Sequence, residues 1–294
     1  MPELPEVEVT RRQLLPAVVG RTIEAVQTTP DSYFFVTKPH LLRRRLAGRR
    51  VCALDRLGKY LVMRLDGGPP GEGLLLHLGM TGQLFVDGAA SVRLLRTTAA
   101  GSATPEQQRQ GARVDKHVHM RFRFDRGADL LFRDPRKFGK VEWLASGQPC
   151  ARLDKLGVDA LEVTGEQLFA ATRGRRASIK TALLDQSLLA GVGNIYADEG
   201  LFLAGIRPRT AAGRVSRART ERLVGAVQQV MRRSIETGGS SISDYVHADG
   251  TRGSYQDERR VYARTGEPCG ACGTTIRRIV VGQRGTHYCP SCQK

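Results

Sequence analysis

The sequence predicts an α+β protein in which a strand-rich N-terminal half precedes a helical region and a small metal-binding C-terminus. Short strand-like runs, separated by turn residues, occupy the chain from about residue 22 to residue 144. Apolar residues at helical spacing dominate from about residue 147 onward, and four cysteines in two close pairs lie between residues 269 and 292. The length of 294 residues allows about two sizeable domains, and a hydrophobic content of 40% supplies their cores.

The N-terminal half is predicted to form an antiparallel sandwich or barrel with one flanking helix. The helix covers residues 3–19 and ends at Gly20. In the clearest strand, 117–124, alternation gives an apolar face and a basic face, formed respectively by Val118, Met120, Phe122 and Phe124 and by His117, His119, Arg121 and Arg123. Further strands are predicted at 22–28, 50–55, 60–65, 73–78, 83–86, 130–132 and 141–144.

The C-terminal half is predicted to be helical as far as a Gly-Gly stop at residues 238–239. Helices are expected over 165–172, 178–185, 194–204 and 220–237, with Ser178 and Asn194 as N-caps. Residues 87–113, rich in Ala, Gly, Ser, Thr and Gln, are expected to form a long mobile loop in the first half. The predicted domain limits are therefore 1–146, 147–258 and 259–294.

The charge balance indicates a polyanionic partner. Lys and Arg number 46 against 29 Asp and Glu, which gives a net charge of +17 and favours nucleic acid. A basic surface without such a partner is the alternative. No apolar run approaches the roughly 20 residues that span a bilayer, and the acidic N-terminus does not match a secretory signal. A cytoplasmic location without a membrane partner is expected.

The C-terminal cysteines have the spacing of a two-knuckle zinc site. Each pair has two residues between its members, and 16 residues separate the pairs. Four thiolates complete a tetrahedron and leave no open position, so the zinc is expected to be structural. His287 is then not needed as a ligand. The predicted ligands of the single Zn²⁺ are Cys269, Cys272, Cys289 and Cys292.

Between the cysteine pairs, residues 276–281 read as a strand with basic edges, and Arg284 follows in the turn 282–285. A rigid hairpin with an arginine at its tip can present a cation to phosphate. A solvated arginine is the simpler alternative. The two remaining cysteines, Cys52 and Cys150, are interpreted as ordinary buried thiols.

The N-terminus offers a candidate nucleophile. Removal of Met1 would make Pro2 a free secondary amine, and α-amino groups titrate at about 7.7–8.0, so part of it is unprotonated near neutral pH. Such an amine can attack a sugar carbon and form an iminium, with Glu3 beside it as a proton carrier. The alternative is an ordinary helix start, in which proline and glutamate occupy the first turn.

Seven motifs follow one another along nearly the whole chain: PELPEVE at 2–8, GKYL at 58–61, HLGM at 77–80, KH at 116–117, DPRKFG at 134–139, GVGNIYA at 191–197 and CPSCQ at 289–293. Together and in this order they resemble the motifs of bacterial formamidopyrimidine-DNA glycosylase. This resemblance implies an N-terminal β-sandwich with a flanking helix, a helix–two-turn–helix domain and a C-terminal β-hairpin zinc finger. It also implies a monomeric base-excision-repair enzyme of the bacterial cytoplasm, associated with the nucleoid, that binds double-stranded DNA.

The resemblance implies a glycosylase and AP lyase that removes oxidised purines such as 8-oxoguanine and formamidopyrimidines, and then nicks the strand by β,δ-elimination. Pro2 would be the nucleophile and Glu3 the acid that helps to open the sugar. Lys59 matches the proton donor for β-elimination. Arg284 matches the residue assigned to δ-elimination, and because arginine stays protonated we expect phosphate clamping and charge stabilisation first.

The resemblance also implies the DNA contacts. The matching positions are His117, Arg136, Arg176, Lys180 and Asn194. Three side chains, those of Met80, Arg136 and Phe138, would fill the gap that an extruded base leaves, which offsets part of the cost of unstacking. Without the resemblance, Met80 and Phe138 read as core residues.

Two other functions remain open at this point. A glycosylase of the endonuclease VIII type, which prefers oxidised pyrimidines, typically has Gly where this chain has Leu4. A non-catalytic damaged-DNA-binding protein could use the same scaffold, although the set Pro2, Glu3, Lys59 and Arg284 argues against it. Nonspecific DNA binding through the net charge is expected in every case, with strong salt dependence.

Overall fold

The computed structural model of the protein describes residues 1–88, 115–240 and 252–294. These residues form two compact units, Met1–Cys150 with Gly238–Ser254, and Ala151–Thr237 with Tyr255–Lys294. The loop predicted at 87–113 lies, except for its first two residues, outside the described part of the chain. Among the described residues, no helix is long and apolar enough to cross a membrane.

The first unit contains a β-sandwich. Its two antiparallel sheets have the strand orders β2-β3-β4-β8 and β1-β6-β7-β5, and buried apolar residues from both sheets and from the first helix join in one core. The predicted fold class is confirmed. The elements are α1 (Leu4–Val18), β1 (Ile23–Thr28), α2 (Pro39–Leu46), β2 (Arg50–Leu57), β3 (Tyr60–Asp66), β4 (Gly73–His77), β5 (Gln83–Val86), β6 (Val118–Phe124), β7 (Leu130–Arg133) and β8 (Lys140–Leu144).

The strand register places several polar side chains at one end of the first sheet. Leu57 pairs with Tyr60, so Gly58 and Lys59 form the two-residue turn between β2 and β3. Tyr60 in turn pairs with His77, and His77 with Lys140. Because α1 packs against β2 and β3, the N-terminal helix lies on the hairpin that carries Lys59.

Two features of this unit differ from the sequence prediction. Helix α2 was missed, because its eight residues contain three arginines and only a short apolar spacing, although Leu42 and Leu46 are fully buried. The basic face predicted for β6 is also only partly correct, since His119 is 2% exposed. The His119 ring contacts the Asp134 carbonyl at 3.0 Å, and burial, first among several causes, lowers its pKa.

The second unit contains four described helices and two short sheets. Helices α3 and α5 both pack against α6, and Ser178 caps α4 as predicted. Ser216 caps α6, which therefore starts three residues before the predicted position. The elements are β9 (Val158–Asp159), α3 (Gly165–Thr172), α4 (Ile179–Leu184), β10 (Leu189–Ala190), α5 (Asn194–Leu203), α6 (Arg217–Glu236), β11 (Arg277–Val281) and β12 (Arg284–Tyr288), with 3₁₀ turns at Ala212–Arg214 and Tyr255–Asp257.

Strands β11 and β12 form the C-terminal hairpin. Val281 pairs with Arg284, and the two turn residues, Gly282 and Gln283, both have positive φ, 55° and 61°. This is the turn geometry that matches the twist of a hairpin. Arg284 is therefore the first residue after the turn, and its side chain is exposed.

Candidate functional site

Pro2 and Glu3 lie immediately before the first helix, and both are buried. Glu3 is the N-cap of α1, and Pro5 supplies the proline of the first turn. Pro2 is therefore outside the helix, so the helix start accounts for Pro5 and not for Pro2. The Glu3 N–H donates to Glu6 Oε2 at 2.9 Å, and Glu6 Oε1 accepts the Ser240 N–H at 2.8 Å.

Lys59, in the turn between β2 and β3, is anchored through its neighbours. Its side chain is 7% exposed. Arg56, three residues earlier, donates Nη1 to the Gly58 carbonyl at 3.2 Å and Nε to Glu8 Oε2 at 3.2 Å. Glu8 belongs to α1, so the helix that follows Pro2 also holds the turn that presents Lys59.

The Glu8 carboxylate is ionised throughout the physiological range. Burial raises its pKa, but hydrogen bonds from Arg11 and Arg12, with the charges of Arg11 and Arg56, outweigh that effect and lower the pKa to about 2. Glu8 Oε1 is 2.8 Å from both Arg11 Nη2 and Arg12 Nε. A carboxylate that stays charged at neutral pH keeps the link between α1 and Arg56 intact.

The three side chains that are predicted to fill the gap left by an extruded base, those of Met80, Arg136 and Phe138, are exposed on the first unit. Met80 is 41% and Phe138 43% exposed, so the alternative assignment of these two residues to the core is wrong. Arg136 is also exposed, and its Cζ lies 4.6 Å from the Phe138 ring centroid. His117, immediately before β6, is partly exposed. The DNA contacts of all four stay predictions.

In the second unit, the arginine after the hairpin turn lines an open cavity of about 300 Å³. Arg175, Thr181 and Asp185 contribute to the same cavity as Arg284. A Cβ added to Gly282 would lie 2.8 Å from Thr181 Oγ1, so the hairpin turn approaches α4 closely. Arg176 is exposed. This cavity has two guanidinium groups at its wall, a chemistry suited to an anion such as a phosphate.

Lys180 and Asn194 hold the residue that follows Arg284. Lys180 Nζ contacts the Gly285 carbonyl at 3.1 Å and Thr286 Oγ1 at 2.8 Å, and Asn194 Nδ2 donates to the same carbonyl at 2.9 Å. Lys180 is 0% exposed. Its predicted phosphate contact stays a prediction about the DNA-bound protein, whereas its contacts here position the hairpin. Asn194 is the first helical residue of α5, and Gly193 takes the N-cap position predicted for it.

Two buried carboxylates of α5 complete this arrangement, and sequence reasoning gave neither a role. Asp198 Oδ1 is 2.7 Å from Lys180 Nζ, and its Oδ2 accepts the His287 N–H at 2.8 Å. Glu199 accepts the backbone N–H groups of three consecutive residues, Arg260, Val261 and Tyr262, at 2.8–2.9 Å. Their signal in the sequence is a pair of acidic residues inside an otherwise apolar helix, which requires buried partners.

The four predicted zinc ligands come together. Their Sγ atoms all lie within 4.8 Å of one another, with separations of 3.4, 3.5 and 3.9 Å for three of the pairs. Tetrahedral zinc with Zn–S bonds of about 2.3 Å requires sulfurs about 3.8 Å apart, so the site fits Zn²⁺. The protein has a structural zinc site formed by Cys269, Cys272, Cys289 and Cys292.

The other cysteines correct one expectation. Cys52 on β2 is exposed and Cys150 is partly exposed, so the interpretation of both as buried thiols is wrong. Strand β2 has an irregular register at this position, between Val51 and Ala53, which disturbs the simple alternation of faces. His287, which sequence reasoning excluded as a ligand, is not among the grouped metal-binding residues in the described ranges.

Comparison with known proteins gives the same enzyme family for all parts of the chain. Family models match residues 1–141 (formamidopyrimidine-DNA glycosylase N-terminal domain), 156–246 (the H2TH domain of that enzyme) and 266–294 (a zinc finger found in FPG and IleRS). The formamidopyrimidine-DNA glycosylase of Burkholderia cenocepacia is 45% identical over 300 residues, covering 100% of both chains.

Solved structures agree with this result. The Lactococcus lactis Fpg, in complex with DNA that contains an abasic site, is 32% identical with a TM-score of 0.82, covering 100% of both chains. A MutM structure in complex with DNA that contains carbocyclic 8-oxo-G gives the same identity, TM-score and coverage. The chain belongs to the formamidopyrimidine-DNA glycosylase family.

Proposed function

We propose that this protein is a base-excision-repair DNA glycosylase and AP lyase that removes oxidised purines, 8-oxoguanine and formamidopyrimidines, from duplex DNA. One observation carries the proposal: full-length family membership is combined with a Pro2-Glu3 pair that stands outside the first helix and is buried in the sandwich unit. The named relatives are glycosylases, and the related structures contain abasic-site or 8-oxo-G DNA. The excess of positive charge suits the DNA backbone.

The proposed chemistry starts when Met1 has been removed. The Pro2 nitrogen attacks C1′ of the damaged nucleotide, the bond from C1′ to the base breaks, and the base leaves with the bonding electrons and a proton. Glu3 donates a proton to the sugar-ring oxygen as the ring opens, which leaves an iminium between Pro2 and C1′. Lys59 then serves the proton transfer of β-elimination, and Arg284 clamps a phosphate during δ-elimination.

The remaining site residues divide by what they contact in this proposal. Met80, Arg136 and Phe138 fill the space of the extruded nucleotide, and His117 and Arg176 contact the DNA backbone. Lys180 and Asn194 either contact the phosphate of the flipped nucleotide or position the hairpin that carries Arg284. The zinc cross-links the finger, and the enzyme is proposed to work as a monomer on the nucleoid in the bacterial cytoplasm.

Borohydride trapping tests the proposal. Protein that lacks Met1 and contains zinc is incubated with a duplex carrying one 8-oxoguanine opposite cytosine, reduced, and mapped by peptide analysis. We expect a covalent adduct on Pro2. Protein that retains Met1 is the matched control, because its Pro2 nitrogen is a peptide nitrogen, and it should give no adduct.

Three results would overturn the proposal or part of it. No adduct from competent protein would reject the lyase chemistry, and trapping by protein that retains Met1 would reject Pro2 as the nucleophile. A parallel duplex with thymine glycol separates the substrate classes. A faster reaction on that duplex than on 8-oxoguanine would favour the endonuclease VIII type.

A further inference from the structure

We infer that Asp134 is a positioning residue for the wedge, the exposed set Met80, Arg136 and Phe138. The inference rests on the proposed function, because it concerns how the enzyme stabilises an extruded base. Asp134 lies at the start of the loop between β7 and β8, which carries Arg136 and Phe138. It is 0% exposed. A fully buried carboxylate requires partners that satisfy its charge, and in this case the partners belong to the loops of the wedge.

The Asp134 carboxylate joins the two loops that carry the wedge. Its Oδ1 accepts the hydroxyl hydrogen of Thr81, the residue after Met80, at 2.6 Å. Its Oδ2 accepts the N–H of Gly139, the residue after Phe138, at 2.7 Å. Oδ1 also accepts the backbone N–H of Arg136 at 3.3 Å. Each wedge residue is thus attached to Asp134 either directly or through its immediate neighbour.

The backbone between these attachments is held in an unfavourable conformation. Lys137 has φ of 57° although it is not glycine, and a backbone of this kind persists only where its surroundings impose it. The Asp134 carboxylate accepts the N–H groups of Arg136 and Gly139, which flank Lys137, and the Asp134 carbonyl accepts the N–H of Lys137 itself at 3.2 Å. The carbonyl closes the turn, and the carboxylate adds contacts on both sides of Lys137, next to the exposed residues Arg136 and Phe138.

The two loops also contact each other directly, so a displacement of the backbone in one loop displaces the other. Gly79 has φ of +60°, and a Cβ there would lie 2.4 Å from the Phe138 carbonyl carbon. Its N–H donates to His77 Nδ1 at 3.1 Å. Only glycine fits this approach. Asp134 and Gly79 together fix the spacing between Met80 and Phe138.

An amide at this position cannot repeat the carboxylate's contacts. The two carboxylate oxygens of Asp134 accept from three donors, one each from Thr81, Arg136 and Gly139. The side chain of Asp134→Asn has only one acceptor oxygen, and its amide nitrogen is a donor. We expect a loss of about 10- to 100-fold in single-turnover excision from an 8-oxoguanine duplex, since a displacement of the order of 1 Å in positioning groups costs about that much. Fluorescence of a 2-aminopurine beside the lesion, which reports extrusion, should rise less than with wild type.

Borohydride trapping on a preformed abasic site is the comparison that identifies a positioning role. That site has no base to unstack, so Asp134→Asn should lose less activity there than on the lesion. Equal losses on both substrates would overturn the inference and indicate a general structural role. Wild-type excision on both substrates by a folded Asp134→Asn protein would also overturn it and leave the proposed function intact. A wild-type protein that fails on both substrates would instead reject the proposed function.

A matched pair at Thr81 covers the case in which Asp134→Asn does not fold. Thr81→Val removes one of the donors without changing the carboxylate, and Thr81→Ser keeps the hydroxyl. We expect Thr81→Val to lower extrusion and excision more than abasic-site trapping, and Thr81→Ser to restore both. Identical behaviour of Thr81→Val and wild type would overturn the inference.

Discussion

The sandwich and the zinc finger hold their functional residues by different means. The sandwich has a continuous apolar core drawn from both sheets and α1, whereas the buried cluster of the finger consists of Val261, Cys269, Ile276 and Cys289. Apolar burial contributes about 25 cal/mol per Å², so a cluster of this size supplies little. The apolar core therefore stabilises the sandwich, whereas the stability of the finger depends on the metal and on charged groups from α5.

Both regions nevertheless use buried carboxylates to position a basic or exposed residue. Glu8 holds the Lys59 turn through Arg56, and Asp198 holds the hairpin of Arg284 through Lys180 and His287. A carboxylate accepts several hydrogen bonds at fixed angles, which apolar packing cannot provide. The comparison teaches that the cores give stability, while these carboxylates give orientation.

The largest expected effect is the removal of zinc. Chelation, or Cys289→Ser, should unfold the finger and abolish tight DNA binding, because structural zinc contributes about 10 kcal/mol to small domains. Trp143, the only tryptophan of the chain, lies on β8 of the sandwich, and its fluorescence should stay native. Zinc content, Trp143 fluorescence and DNA affinity are the measurements. Full DNA binding without zinc would show that the finger does not depend on its metal.

A smaller loss is expected when the buried pair of the second unit is broken. Asp198→Asn leaves the Lys180 ammonium buried without its counter-charge, which costs about 3–5 kcal/mol. Adding Lys180→Met removes that charge, so the double variant should recover part of the loss. Urea unfolding followed by far-UV circular dichroism measures this in zinc-loaded protein. A double variant less stable than Asp198→Asn alone would contradict the role of the pair.

The smallest of the three effects concerns Glu8, and it depends on pH. Because the folded-state pKa is held at about 2, below that of an unfolded glutamate, its ionised form stabilises the fold above about pH 4.5. That contribution, about 1–3 kcal/mol, is lost as the pH falls toward 2. Glu8→Gln should therefore lower stability at pH 7, and the difference from wild type should shrink at pH 4 and below.

Trp143 fluorescence in urea follows the sandwich during this titration. The variant Glu24→Gln is a suitable control, because its ion pair with Arg123 is half exposed on both sides and such pairs contribute little. A difference between wild type and Glu8→Gln that is the same at pH 7 and pH 3.5 would exclude titration of Glu8 as its cause.

Local patterns predicted the elements well where the partners are near in sequence. Helix α3 has the predicted limits, and the cysteine spacing identified all four sulfurs that come together. Helix α2 was missed because its two buried leucines are outweighed by arginines. The burial of His119 was missed because its partner, the Asp134 carbonyl, is defined only by the pairing of β6 with β7.

The candidate site was predicted as a set of residues but not as a set of contacts. The resemblance identified Lys59, Met80 and Phe138, and the structure gave the exposure of the last two. It did not identify Glu8 or Asp134 as residues that hold the site in place. The sequence does not show which hydrogen bonds a carboxylate will accept in the folded protein. A surface assignment is the default for such residues, and burial reverses it.

The sequence by itself determined the strand-rich and helical halves, the zinc ligands, the basic character and the Pro-Glu start, since each depends on composition or on residues close along the chain. The tertiary structure decided which charges are enclosed and what they hold. Thr81 meets Asp134 across 53 positions, Lys180 meets Thr286 across 106, and Glu6 meets Ser240 across 234. Contacts of this range follow from the packing of whole elements, because no local periodicity records which buried charge will find which partner.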